Sequence, residues 1–196
     1  MFYDARKNDH GFQYDPFKAI VAPRPIGWIS SVSAQGRVNL APYSYFNAFA
    51  QAPHYVAFGS GPRKDSMRNI EETGAFAVNL ATWELREQMN ATSAHVEADE
   101  FELAKLTKAP CRLIAPPRVA ESPACLECRL HLIVPLPDDD GNADDFLVIG
   151  RVLGIHIDDR FIHDGRVDTA AMKPIARLGY SEYATVSEVW RMRRPD

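Results

Sequence analysis

The sequence contains few of the features that mark specialised classes of protein. It has only three cysteines in 196 residues, Cys111, Cys125 and Cys128. Three cysteines cannot all pair within one chain, which argues against a disulfide scaffold and for a reducing compartment. No run approaches the roughly 18 apolar residues of a membrane span, and the N-terminus has no apolar core of a signal peptide. We therefore expect a soluble cytoplasmic protein without a membrane partner.

An excess of positive charge is also missing. The formal net charge is -4 at pH 7, so there is no broad basic surface to neutralise phosphates, and we expect no nucleic-acid partner. Apolar residues make up 46% of the chain and charged residues 24%, which are values typical of globular proteins. Without an internal repeat or a low-complexity linker, residues 1–196 are expected to form a single domain.

Several catalytic and metal-binding motifs are absent from the sequence. There is no GxGxxG dinucleotide fingerprint, no GxSxG elbow and no HExxH zinc motif. Cys125 and Cys128 form one CxxC pair, which is half of a zinc site, and they fall on opposite faces of a predicted strand. We interpret both as structural cysteines and predict no metal site.

Short apolar runs separated by turn residues predict a mainly β protein. The strand pattern begins near Phe17, is strong over residues 26–32, and ends at Pro42 after a turn in which Gly36 reverses the chain. Short helices are expected from Asp65 or Ser66 to Glu72, after Thr82, and over 100–106. Because no regular βαβ alternation is present, an antiparallel β-barrel with short helical insertions is favoured. Further strands are predicted over 38–41, 55–58, 75–80, 126–134, 146–157 and 183–189.

Hydroxyls, amides, aromatic rings and a basic pair gather between residues 24 and 66. Arg63-Lys64-Asp65-Ser66 leads into a predicted helix, whose free N–H groups and partial positive charge suit a phosphate. An ordinary exposed helix cap explains the same tetrapeptide, and the four residues alone favour that simpler interpretation. The mixture as a whole suits a planar, phosphorylated aromatic ligand.

Two further groups in this stretch have both a ligand-binding and a structural explanation. The hydroxyls of Ser30, Ser31 and Ser33 on an apolar strand can bind a ligand or cover the solvent face of the strand. The segment 43–47 follows Pro42 and can form the wall of a flavin site, with main-chain donors and flat rings, or plug the end of a barrel. The residues alone leave both alternatives open in each case.

The combined order of these segments is more specific than any one of them. Arg24-Pro25-Ile26-Gly27-Trp28-Ile29-Ser30 is the first of a series that resembles the flavin reductase-like family, which includes reductase components of nitrilotriacetate monooxygenase-type systems. The similarity extends from about residue 17 to 186. The other matching segments are 39–47, 64–70, 73–79, 117–122, 149–152 and 177–183.

The resemblance implies an FMN-binding split barrel, a Greek-key-like antiparallel barrel, that forms a homodimer with flavin sites near the subunit interface. It implies that Ser30, Ser31, Lys64 and Ser66 serve the phosphate and ribityl chain, and that residues 39 and 44–47 line the isoalloxazine ring. The predicted cofactor-binding residues are Trp28, Ile29, Ser30, Ser31, Asn39, Pro42, Ser44, Tyr45, Phe46, Asn47, Ser60, Arg63, Lys64, Asp65 and Ser66.

The resemblance also implies an activity, the reduction of FMN by NADH or NADPH. Reduced flavin would then supply a monooxygenase or a ferric acceptor, and no side chain is required as a general acid or base. A non-catalytic FMN-binding electron carrier is the main alternative, and a related flavin-dependent oxidase or oxygenase is a further one. Tyr180 stands where many members have a second glycine after Gly179, and its ring is expected to narrow the space over the flavin.

Overall fold

The structure is a computed structural model that describes residues 1–94 and 98–195. Within them the chain forms strands β1 Arg24–Pro25, β2 Gly27–Val32, β3 Val38–Tyr43, β4 Phe46–Gln51, β5 His54–Ser60, β6 Ala75–Leu80, β7 Lys108–Ala109, β8 Arg118–Val119, β9 Ala124–Leu136, β10 Asp145–Ile157, β11 Ile162–His163, β12 Arg166–Val167, β13 Ile175–Arg177 and β14 Tyr183–Thr185. The α-helices are α1 Phe17–Ile20, α2 Asp65–Thr73, α3 Arg86–Ala91, α4 Glu100–Leu103 and α5 Thr169–Met172, and a 3-10 turn covers Asp159–Phe161.

A seven-stranded antiparallel sheet forms the centre of the fold, in the order β3-β2-β6-β9-β10-β5-β4. Its two outer strands, β3 and β4, are consecutive in the chain, so the sheet must curl until they approach each other. Tyr43 at the end of β3 packs against Phe58 of β5 with ring centroids 4.7 Å apart. The predicted antiparallel barrel with short helical insertions is confirmed.

Two apolar clusters cover the opposite faces of β2. Ile29 packs with Phe58, Phe76 and residues Met67 and Ile70 of α2. Trp28 packs in the other cluster, together with residues of β3, α3 and α4. Because both faces are covered, nearly the whole of β2 is buried. Of the two interpretations of the strand serines, the one in which they cover a solvent face is therefore wrong for Ser30 and Ser31.

Several local predictions differ from the structure at element ends. Residues 17–20 form a helical turn and not the start of a strand, because the Phe17 N–H bonds to the Asp15 carboxylate 2.8 Å away and all four residues are exposed. Pro42 lies inside β3 and does not end it, since β3 is an edge strand where a missing N–H is tolerated.

Strand β4 was not expected, because five of its six residues are exposed and carry no clear alternation. Helix α4 ends at Leu103 and strand β14 at Thr185, so both are shorter than predicted. Helix α2 agrees closely, and Gly74 ends it with a left-handed φ of 71°. No helix within the described residues is long and apolar enough to cross a membrane.

Candidate functional site

A cavity of about 1710 Å³ opens where β3, β5 and the start of α2 meet. Its walls are formed largely by the stretch that the sequence singled out. The predicted residues that line it are Asn39, Pro42, Ser44, Tyr45, Phe46, Asn47, Ser60, Arg63, Lys64, Asp65 and Ser66.

Buried polar groups form one part of the cavity wall. The Asn39 amide nitrogen donates to Ser66 Oγ at 2.7 Å, and both side chains are buried. The Tyr43 hydroxyl lies near Ser60 and Ser66, and burial raises the pKa of this phenol, so it stays protonated at neutral pH. Ser60 is 2% exposed, and its Oγ makes no hydrogen bond of normal geometry within the described residues. A polar atom of a ligand in the cavity would satisfy this hydroxyl.

The start of α2 supplies the positive part of the wall. Lys64 is the N-cap residue, and no side chain caps this end of the helix. The first N–H groups of a helix have no partner within it, so an uncapped start facing a cavity suits an anion. Asp65 is paired with Arg68, and Arg63 with Glu71, both within the helix region. Lys64 has no ion pair among residues 1–94 and 98–195, which leaves its ammonium as the cation for a ligand.

Aromatic side chains form another part of the cavity wall. Phe46 lies directly against Gly27, where an added Cβ would come within 2.7 Å of the ring. Only glycine at position 27 therefore lets this ring pack against β2. Tyr45 is 44% exposed, and the Arg24 guanidinium lies 5.7 Å from its ring centroid. The cavity thus combines flat apolar surface with a cationic helix start.

Four of the predicted site residues do not line this cavity. Trp28 is fully buried and donates from Nε1 to Thr92 Oγ1 at 2.9 Å. Ile29 belongs to the barrel core, Ser30 is fully buried, and Ser31 accepts a bond from the Asn69 amide at 3.2 Å. The bonds of Trp28 and Ser31 hold β2 against its neighbours, and a direct cofactor contact by the four residues stays a prediction.

Arg24 and Glu100 also line the cavity, although neither was among the predicted site residues. Arg24 is 6% exposed and donates to the carbonyl oxygens of Lys18, Val21 and, at 2.8 Å, Leu178. It therefore ties the N-terminal segment to a C-terminal bend at the edge of the site. Its place at the head of the Arg24-Pro25-Ile26-Gly27-Trp28 motif was the available signal, whereas nothing in the local sequence distinguishes Glu100.

Glu100 places a buried carboxyl group on the cavity wall. It is 8% exposed, accepts a hydrogen bond from the Leu40 N–H at 3.2 Å, and burial raises its pKa. A raised pKa in the folded state means that the carboxyl contributes stability at low pH, which is lost as pH rises through the folded-state pKa.

Replacing Glu100 by glutamine, which keeps an oxygen acceptor, should therefore stabilise the protein at neutral pH. The gain in free energy of unfolding over the wild type should disappear below the ordinary glutamate range. Urea unfolding of both proteins at a series of pH values measures it. A difference in free energy of unfolding that does not change with pH would contradict the raised pKa of Glu100.

Tyr180 lies outside the cavity wall, and its effect on the space over a bound flavin stays a prediction. It is absent from the lining residues, and its ring packs edge-on against Tyr14 with centroids 5.7 Å apart. Its φ of 55° is in the left-handed region, where glycine is favoured, and Arg177 donates to its carbonyl oxygen. The strained backbone of this bend turns the side chain toward the N-terminal segment.

The barrel and its cavity define a split-barrel protein with a wall suited to a flat, anionic ligand. The chain belongs to the flavin reductase like domain family, whose model matches residues 21–170. This confirms the resemblance seen in the sequence, and it supports a flavin cofactor.

Individual relatives agree with the family. Nitrilotriacetate monooxygenase component B from Bacillus cereus superimposes with a TM-score of 0.90 at 31% identity, over 98% of both chains. The 2-nitrobenzoate 2-nitroreductase NbaA of Pseudomonas fluorescens has a TM-score of 0.87 at 25% identity, over 100% of this chain and 96% of its own. An uncharacterized protein of Halalkalibacterium halodurans is 35% identical over 183 residues, 89% of this chain and 87% of that protein.

The residues in the cavity fit a flavin with a phosphate. The unpartnered Ser60 hydroxyl and the uncapped start of α2 offer donors, and the Tyr45–Phe46 pair offers flat surface. The cavity, about 1710 Å³, exceeds the roughly 300–1000 Å³ of an ordinary ligand pocket.

Proposed function

We propose that this protein binds FMN and catalyses its reduction by NADH or NADPH. The observation that carries the proposal is a single cavity that combines an uncapped helix start, an unpartnered buried hydroxyl and an aromatic wall. Membership of the flavin reductase like domain family supports the same activity.

Each part of the wall has a distinct role in this proposal. Lys64 and the first N–H groups of α2 hold the phosphate, because a cation and aligned backbone donors bind the same anion. Ser60 and the Asn39–Ser66 pair bond to polar atoms of the ribityl chain or ring edge. Tyr45 and Phe46 lie against the ring and keep water from it.

Bound FMN would supply the redox chemistry, because its ring accepts a hydride and can pass the electrons on singly or in pairs. The protein's part is binding, orientation and exclusion of water. No described side chain has to move a proton, so the absence of a catalytic base from the sequence motifs is consistent with the proposal.

Anaerobic stopped-flow mixing with NADH and with NADPH tests the activity. The FMN-loaded protein should lose its flavin absorbance far faster than the same concentration of free FMN. A rate equal to that of free FMN with both nucleotides would refute the reductase and leave the electron carrier as the better candidate.

We also propose a cytoplasmic homodimer that delivers reduced flavin or electrons to a monooxygenase or a ferric acceptor. Phe49 and Leu136 lie on the cavity wall although they are 65% and 47% exposed, and apolar surface of this kind is often covered by a partner. Sedimentation velocity should give twice the monomer mass of 22.0 kDa. A monomer at tens of micromolar would argue against the dimer.

A further inference from the structure

A second cavity, of about 540 Å³, lies beside the paired strands β9 and β10. Glu127 and His156 line it, and Cys111 lies close to both of them. The Cys111 sulfur, a Glu127 carboxylate oxygen and a His156 ring nitrogen all lie within 4.8 Å of one another. They come from a loop, from β9 and from β10, so the fold brings together ligands that sequence spacing does not reveal.

Backbone hydrogen bonds fix the Glu127 carboxylate beside this cavity. Glu127 is 1% exposed, and its two carboxylate oxygens accept hydrogen bonds from the Arg112 N–H at 2.7 Å and the Leu113 N–H at 2.6 Å. These bonds also fix the loop that carries Cys111. Within the described residues Glu127 has one ion-pair partner, His156. The His156 ring is charged only when it is protonated. Glu127 thus presents an oriented, buried carboxylate to the cavity, with the His156 ring hydrogen-bonded to it.

We propose that Cys111, Glu127 and His156 bind a divalent metal ion of the zinc type, with a fourth coordination position open to the cavity. Sulfur, imidazole nitrogen and carboxylate oxygen are the three donor types that zinc takes in proteins, and three protein ligands with one open position are a common arrangement. Ligand atoms of tetrahedral zinc lie about 3.3–3.8 Å apart. The Glu127 oxygen and the His156 ring nitrogen are hydrogen-bonded to each other, so this bond must open for both atoms to become ligands of one ion.

The rest of the cavity suits the open position. Arg118 lines it, and the Nε of this guanidinium is buried without a hydrogen-bond partner. Arg112 lines it as well, while Asp158 is paired with Arg160. An anion as the fourth ligand would offset the positive charge that Arg112 and Arg118 add to this lining.

Cobalt substitution tests the site directly. Co²⁺ is titrated into the reduced, full-length protein in a phosphine reductant that does not supply a thiol. We expect one equivalent per chain, with a thiolate-to-cobalt charge-transfer band and the strong visible bands of tetrahedral coordination. Zinc added afterwards should displace cobalt and abolish both bands.

Variants identify the ligands. Cys111→Ser should abolish the charge-transfer band, and His156→Gln should weaken cobalt binding at least about tenfold. Two variants serve as matched controls: Cys128→Ala, which changes a residue of the barrel core, and His131→Gln, which changes an exposed histidine on β9. Both should bind cobalt as the wild type does. Circular dichroism confirms that each variant is folded. The proposal is overturned if the wild type shows no charge-transfer band, or if the band persists in Cys111→Ser. Flavin loading is measured separately, so neither result bears on FMN binding.

Discussion

FMN should bind the Lys64→Ala variant about 10- to 150-fold more weakly than the wild type, which corresponds to the roughly 1.5–3 kcal/mol of a hydrogen bond to a charged group. Lys64 is the N-cap residue of α2, lies on the cavity wall and has no ion pair within the described residues. Riboflavin has the same ring and ribityl chain but no phosphate, so its affinity should change little. Isothermal titration with both ligands measures the two effects.

Three controls make this result specific. Lys64→Arg keeps a cation at the same position and should retain most of the FMN affinity. Lys7→Ala removes one exposed charge from the N-terminal segment and should change neither affinity. The difference between FMN and riboflavin should also shrink at high salt, because the phosphate contact is electrostatic. An equal loss for both ligands would show that Lys64 supports the cavity without holding the phosphate.

Replacing Gly150 by alanine should lower the free energy of unfolding by about 1–3 kcal/mol, the usual cost of overpacking a core. An added Cβ at this position in β10 would lie 2.3 Å from Cζ of Phe76 and 3.3 Å from Cβ of Cys128. Phe76 is fully buried and packs edge-on against Phe58 with centroids 5.6 Å apart, so it has no free space into which to move. Urea denaturation measures the change.

Gly154→Ala provides a matched control on the same strand. There the nearest atom to an added Cβ is the end of the Leu113 side chain at 3.3 Å, and Leu113 is 60% exposed and can move aside. The free energy of unfolding of this control should stay within about 0.5 kcal/mol of the wild-type value. If Gly150→Ala unfolds at the same urea concentration as Gly154→Ala, the barrel interior is looser than the packing around Phe76 indicates.

The periodicity of the sequence was sufficient for the main strands and for α2. Residues 26–32, 75–80 and 146–157 have the apolar density of buried strands, and each one lies in the central sheet. Gly36 and Gly74 have positive φ values of 82° and 71°, as a turn and a helix end require. These features depend on contacts within a few residues, which is why the sequence alone predicts them.

Strand β4 and the burial of both faces of β2 depended on the tertiary structure. β4 has little apolar pattern and exists because β5 offers it a hydrogen-bonding edge. Ser30 and Ser31 have the composition of a ligand-binding or solvent-facing strand, yet α2 and the second apolar cluster cover them. Long-range packing overrides the local pattern at both places.

The same division applies to the two sites. Lys64, Ser66 and residues 44–47 lie in short segments whose order was sufficient to indicate the family, and the structure places them on one cavity. Glu100, and the meeting of Cys111, Glu127 and His156, had no local signal. Their sequence separations are set by the strand pairing of the barrel. The sequence by itself thus determined the antiparallel barrel and the family, whereas only the tertiary structure decided which polar groups share a buried cavity, because burial and proximity arise from strand pairing across the whole chain.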